Sequence, residues 1–194
     1  MKGKVLIVSG ILSLLVAFTL VGNNVRESTL AGIQSKQVLS KMTINSYDNL
    51  NNYTQDYMID SEIDMAKIEI DNNKYIGKLE IPKFNIELPI SSELNYDNLK
   101  IAPGRYSGSV YNDNLIIAGH NYSSHFGKLS RLENGDSICI TDVDGNKFRY
   151  EVSYTEILDG YDVDKMETGD WDLTLFTCTY DGQSRITVRC LGVN

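Results

Sequence analysis

Three side chains in this sequence have the types that acyl-transfer chemistry needs: a thiol at Cys178, an imidazole at His120 and a guanidinium at Arg185. The first and last sit in one stretch, residues 174–185, reading Thr-Leu-Phe-Thr-Cys-Thr-Tyr-Asp-Gly-Gln-Ser-Arg. Apolar alternation runs into the cysteine, six turn-rich residues containing Asp181-Gly182 follow, and Arg185 opens a second alternating run. That pattern predicts a β-hairpin. With Cys178 and Arg185 opposed across the turn, their Cβ atoms lie roughly 5 Å apart on one face of the sheet. Period-2 alternation then sends Leu173, Leu175 and Thr177 to the other face, opposite Ile186, Val188 and Cys190. The core takes that second face. A cysteine beside a cation favours the thiolate, and the guanidinium N–H groups suit an oxyanion formed during attack on a carbonyl. The plainer alternative is a buried free thiol with an unrelated surface arginine.

Histidine narrows the choice. The chain has two, His120 and His125, so a cysteine enzyme that needs an imidazole must use one of them. His120 ends the apolar run Asn114-Leu-Ile-Ile-Ala-Gly-His120, and a strand end beside glycine is a place where working side chains are presented. His125, in Ser123-Ser-His-Phe126, is expected at the surface or at the edge of the groove. Thr177, Ala118, Tyr180 and His125 flank the three reactive groups and are the candidates for substrate contact.

These residues resemble the sortase family. The match consists of Thr174-Leu-Phe-Thr-Cys178 as the Thr-Leu-x-Thr-Cys signature, Arg185 on the next strand and residues 114–120 as the upstream histidine strand, in the order His, Cys, Arg. Looser similarity runs from about Tyr75 to the C-terminus, including Tyr75-Ile-Gly-Lys-Leu-Glu-Ile-Pro82 as a first strand and Phe126-Gly-Lys-Leu129. The resemblance implies Cys178 as nucleophile, His120 as catalytic histidine and Arg185 as the family's arginine. It also implies an eight-stranded β-barrel, a Leu-Pro-x-Thr-Gly-like sorting signal cut between Thr and Gly, and transfer to an amine of a peptidoglycan precursor or a pilin. No organic cofactor is implied. As to subclass, Gly119-His120-Asn121 and Phe-Gly-x-Leu resemble class B members. The compact chain, with no long insertion before Cys178, suits class A or D, toward which the reading leans. Two alternatives stand beside the transpeptidase: a cell-wall Cys/His peptidase that hydrolyses, and a non-enzymatic membrane-tethered β-domain that binds wall components.

Metal chemistry is a rival use of the same residues. His120 and His125, with Cys139 as a third ligand, have a spacing that some zinc sites use, but no Cys-x-x-Cys pair supports it. Asp159, Asp162, Asp164, Glu167, Asp170 and Asp172, with Asp142 and Asp144, form an acidic set that suits Ca²⁺ by composition. Some sortases use calcium near the loop before the cysteine strand. A solvated acidic loop is the simpler reading, and Asp142-Val-Asp-Gly145 reads as a hairpin turn. Among the three cysteines, Cys178 and Cys190 are poor candidates for a bridge, since the hairpin register separates them by roughly 16 Å against a ~7 Å Cα limit. A Cys139–Cys190 bridge stays open beside two separate thiols.

The elements that must position these groups follow from the rest of the chain. In 194 residues, 42% hydrophobic, there is material for one domain and an appendage. Strand signals fall at 75–81, 86–90, 114–120, 137–142, 147–154, 156–159, 173–178 and 185–191, with a helical turn at 96–99. They read as a mainly β barrel or sandwich with short helices. The net charge of −8 argues against a nucleic-acid binder. Residues 5–22 form an uncharged apolar run behind Lys2 and Lys4, near the ~18-residue spanning threshold. The lysines predict a cytoplasmic N-terminus and an extracellular remainder in the cell membrane. A cleavable signal peptide is the rival, but Asn23-Asn-Val-Arg-Glu27 follows the run where a small-x-small site would stand. The expected division is an anchor at 1–24, a polar acidic and partly helical stalk at 25–73, and a catalytic barrel at 74–194. Ile59, Ile63 and residues 65–70 suggest an apolar helical stripe in the stalk, one version of which folds back over the groove.

Overall fold

The computed structural model describes residues 2–49 and 64–193. A long helix α1 (Lys2–Asn49) precedes β1 (Ile68–Ile70), β2 (Asn73–Ile81), β3 (Ile86–Ser91), β4 (Gly104–Ser107) and β5 (Leu115–Gly119). Then come β6 (Ser137–Asp142), β7 (Lys147–Asp159), a short α2 (Val163–Glu167), β8 (Leu173–Cys178) and β9 (Ser184–Gly192). Eight strands close on themselves in the order β2, β3, β4, β5, β8, β9, β7, β6, with β6 returning to β2. This is the expected eight-stranded barrel with few short helices. Neighbours are antiparallel except β3 with β4 and β5 with β8.

Alternation places the core. Leu115 and Ile117, Leu173 and Leu175, Val188 and Cys190 point into the barrel with Leu79, Ile81, Leu88, Ile90, Ile138 and Ile140. Each such side chain contributes on the order of 1.5–3 kcal/mol by leaving water. The opposite face of the same strands carries a smaller cluster of Ile116, Ala118, Leu158, Met166 and Phe176, with Tyr106 against it.

The structure departs from the sequence reading at four elements. The signals at 147–154 and 156–159 belong to one thirteen-residue strand, β7, which keeps its pairing to β9 through a bulge between Val152 and Tyr154. β4 was unanticipated, being four residues behind Pro103. The helical turn expected at 96–99 is a 3-10 turn at Asn98–Lys100. Ile68–Ile70 is a strand where a helical stripe was expected. Asp71 and Asn72 both have positive φ, 51° and 62°, and form the tight turn that folds β1 onto β2. Ile59 and Ile63 lie outside the described residues.

α1 has two halves. Residues 3–26 are exposed all round, Val5 to Val21 included, as suits a helix whose surroundings are lipid. Mean hydropathy there reaches 2.6 over an 18-residue window, which by length and composition is enough to cross a membrane. Further on, Ser28, Ala31, Ser35, Val38 and Met42 are buried. Their spacing of three and four residues makes one helix face. Val38 and Met42 pack on Ile70, Tyr75 and Ala102. The Ser28 end reaches the loop after β5.

Candidate active site

β5 and β8 lie side by side and run in parallel, with Gly119 paired to Thr177. His120 and Cys178 are therefore the next residues along two adjacent strands, whose spacing within a sheet is about 4.8 Å. Cys178 pairs directly with Arg185 on β9, the register expected from the hairpin. The turn is closed by Thr179 N–H donating to the Ser184 carbonyl at 3.0 Å and Gly182 N–H to the Thr179 carbonyl at 2.9 Å. Gly182 supplies the left-handed φ of 75°. Cys178 is exposed and Arg185 half-buried. Arg185 Nη1 donates to the carbonyls of Gly182 and Ser184 at 3.1 and 3.0 Å. A guanidinium carries five N–H groups, so Nε and Nη2 remain for a substrate oxygen.

The loop carrying His120 is tightly folded. The Phe126 N–H donates to the His120 carbonyl at 3.1 Å, and those of His125 and Gly127 donate to Tyr122, each at 2.9 Å. Phe126 is fully buried against Gly119, where an added Cβ would lie 2.4 Å from its ring. That close approach explains the glycine before the histidine. The His120 imidazole stacks on Tyr122, with ring centroids 4.1 Å apart and planes 8° from parallel. Its Nδ1 is 3.4 Å from Asn121 Oδ1.

Beside Cys178 on the outer face, Leu94, Tyr106, Val163, Met166, Phe176 and Arg185 line a groove of about 210 Å³. Phe176 meets Tyr106 edge to face at 5.5 Å. α2 forms one wall and is pinned by the buried Arg189, which donates to the Lys165 and Met166 carbonyls, to Thr174 Oγ1 and to Glu156.

Of the other candidates, Ala118 lies in the outer-face cluster, paired in register with Phe176. Tyr180, in the turn after Cys178, is exposed. Thr177 is buried on the core side, where its hydroxyl donates to the Gly119 carbonyl at 2.8 Å and ties β8 to β5. His125 corrects the expectation of a surface or groove-edge residue: it is 1% exposed, because α1 lies over it. Ser35 Oγ sits 3.0 Å from His125 Nε2 and itself donates to the Ile101 carbonyl. The ring therefore carries its proton on Nε2. Burial holds the imidazole neutral, titrating at about 4, although the Ala31 carbonyl favours the charged form.

Four of the acidic residues are employed locally. Asp162 caps α2 and pairs with Lys165, Asp159 accepts from the Tyr161 N–H, and Asp172 from the Gly192 N–H. Asp142 accepts from the Asp144 and Asn146 N–H groups and from the Tyr111 hydroxyl. Cys139, Cys178 and Cys190 are all free thiols. Burial pushes Cys190 up to about 12, away from reactivity. Sequence reasoning missed the Phe176–Tyr106 wall and the stack on Tyr122. Only the helical spacing of Ser28, Ala31, Ser35, Val38 and Met42 offered a legible signal for α1's docking.

Comparison with known proteins bears on the family and the fold. The Sortase domain family model matches residues 79–193. Sortase D of Bacillus subtilis is 31% identical over 118 residues, 58% of this chain and 59% of that protein. Sortase A of Bacillus anthracis is 29% identical over 124 residues, 59% and 57% of the two chains. The matched segments thus span rather under two thirds of either relative. Among solved structures, a Clostridium perfringens sortase D5 transpeptidase superposes with a TM-score of 0.62 at 22% identity, over 83% of this chain and 99% of that one. Corynebacterium diphtheriae sortase A, a lid mutant, gives 0.55 at 24% identity, over 62% and 70%. Those two show a common fold. With the family model covering more than half of its residues, the chain belongs to the sortase family.

Proposed function

We infer that the chain is a membrane-anchored cysteine transpeptidase that cleaves a Leu-Pro-x-Thr-Gly-like signal between Thr and Gly and passes the acyl group to a cell-wall or pilin amine. The observation that carries this reading is the register at the strand ends: His120 and Cys178 follow a paired Gly119 and Thr177, and Arg185 stands across from the thiol. In this scheme the Cys178 thiolate attacks the threonyl carbonyl and Arg185 stabilises the oxyanion. As the C–N bond breaks, the His120 imidazolium gives its proton to the leaving glycyl amine, and a thioester remains. The neutral imidazole then takes a proton from the incoming amine, which attacks the thioester and releases the thiolate. No cofactor is needed, because the acyl bond energy is held in the thioester.

In the same reading, residues 1–24 anchor the protein with the N-terminus cytoplasmic, residues 25–73 connect it, and residues 74–194 form the catalytic domain outside the cell. The groove of Tyr106, Met166 and Phe176 receives the apolar part of the signal, with Ala118 packed in the same outer-face cluster and the exposed Tyr180 of the turn after Cys178 as a further contact. A panel of fluorogenic pentapeptides with and without an added amine tests the scheme. Transfer requires the amine to appear in the product, with an acyl-enzyme mass on Cys178. Peptide acid as sole product, whatever the amine, identifies a hydrolase. Cys178→Ala is expected to abolish turnover, and full turnover in that variant would rule the scheme out.

A further inference from the structure

A catalytic imidazole needs an orienting partner, and the sequence offers no carboxylate in an obvious position to orient His120. The structure supplies a ring instead. Tyr122 lies flat on His120 and is itself buried and held at three points. Its hydroxyl donates to Glu27 Oε2 of α1 at 3.4 Å, its ring meets His125 edge-on at 5.8 Å, and its carbonyl accepts from the His125 and Gly127 N–H groups. Helix α1 braces the same loop further along. The Ser28 hydroxyl lies 2.8 Å from Ser123 Oγ, Ser124 donates to the Ser28 carbonyl, and Ser35 meets His125. Gly32 lets the helix come close, an added Cβ there lying 3.1 Å from Ser124 Cβ.

We propose that Tyr122 is the positioning residue for His120, and that Glu27 and the docked face of α1 hold it there, making the N-terminal helix part of the acid–base apparatus. The proposal rests on His120 acting as the proton donor and acceptor. An electron-rich face stacked on imidazole favours the imidazolium over the neutral ring. A carboxylate accepting from the phenol enriches that face further. The phenol stays protonated, as burial and Glu27 both push its ionisation upward. The other titratable or charged groups around the stack are His125 in the same loop, Tyr96 ahead of β4, and Cys178 and Arg185 at the adjoining strand ends.

The test uses the full chain in detergent micelles, with ¹³C-labelled histidine resonances followed through a pH titration and peptide cleavage measured in parallel. Tyr122→Leu is expected to lower the His120 titration by about half a pH unit. It should also cut kcat about tenfold with KM little changed, as loss of orientation does. Tyr122→Phe should restore most of kcat, and Glu27→Gln should shift the titration in the same direction by less. An unchanged His120 titration in both Tyr122→Leu and Glu27→Gln overturns the proposal. Where Tyr122→Leu does not fold, Glu27→Gln decides alone by the same criterion. The titration is read without turnover, so it stands apart from the mechanism. Were His120→Ala active, the acid–base assignment would fail on its own account, leaving the stack as a structural contact.

Discussion

At the scale of single residues, Cys178 is paired with Arg185, and in the proposed scheme the guanidinium works by its shape and its charge together. Arg185→Lys keeps the charge but loses the fork, one arm of which, Nη1, already bonds to two carbonyls of the turn. We expect it to lower kcat about 100-fold or more, the usual cost of removing an oxyanion donor, with thermal stability unchanged; parent-like turnover would show that the charge alone suffices. Gly119 is a second sensitive position. Gly119→Ala forces a methyl group into Phe126, and we expect a loss of about 1–3 kcal/mol in denaturant unfolding, with weakened activity. The Cys–Arg pair and the histidine strand were legible because both depend on period-2 alternation and a nearby turn, which are local properties. Tyr122 and His125 were not: what buries them is Glu27, Ser28 and Ser35, some ninety residues away in sequence and visible only once the helix is docked.

At the scale of elements, α1 contributes a pH dependence of its own. Folded His125 titrates at about 4 against an ordinary 6.5, so the unfolded chain takes up the proton first as pH falls. The docked helix is therefore fully stabilised above pH 6.5 and loses about 3 kcal/mol as pH falls toward about 4. Denaturant melts between pH 7.5 and 4.5 should show this loss, and His125→Gln should flatten it; an equal slope in the variant would assign the effect to other groups. Strand signals were legible wherever apolar alternation ran for five residues or more. β4 is too short for that, and β1 depends on two left-handed residues, Asp71 and Asn72, rather than on any periodicity of its own. β7 read as two strands because a bulge breaks the alternation without breaking the pairing.

At the scale of the whole molecule, α1 combines an exposed apolar half and a docked half without interruption. Removing residues 2–24 should yield a water-soluble protein that retains peptide cleavage, since the docked face begins at Ser28. Removing residues 2–46 uncovers Ile70, Tyr75 and Ala102 and frees the His120 loop. We expect that fragment to melt at a lower temperature and to lose activity relative to the longer one. Equal melting temperatures for the two would mean that the helix contributes nothing in solution. A fragment beginning near Tyr47 is thus the less suitable starting material.

The continuity of α1 also sets a height. From the end of the apolar run at Gly22 to Ser28, which touches Ser123, is six residues of helix, or roughly 9 Å along its axis. With the apolar run seated in a bilayer, the histidine loop hovers just above the lipid phosphates. Were a substrate also tethered in that leaflet, it would arrive by sideways diffusion in two dimensions, delivered at the level of the histidine loop instead of being captured from the surrounding fluid.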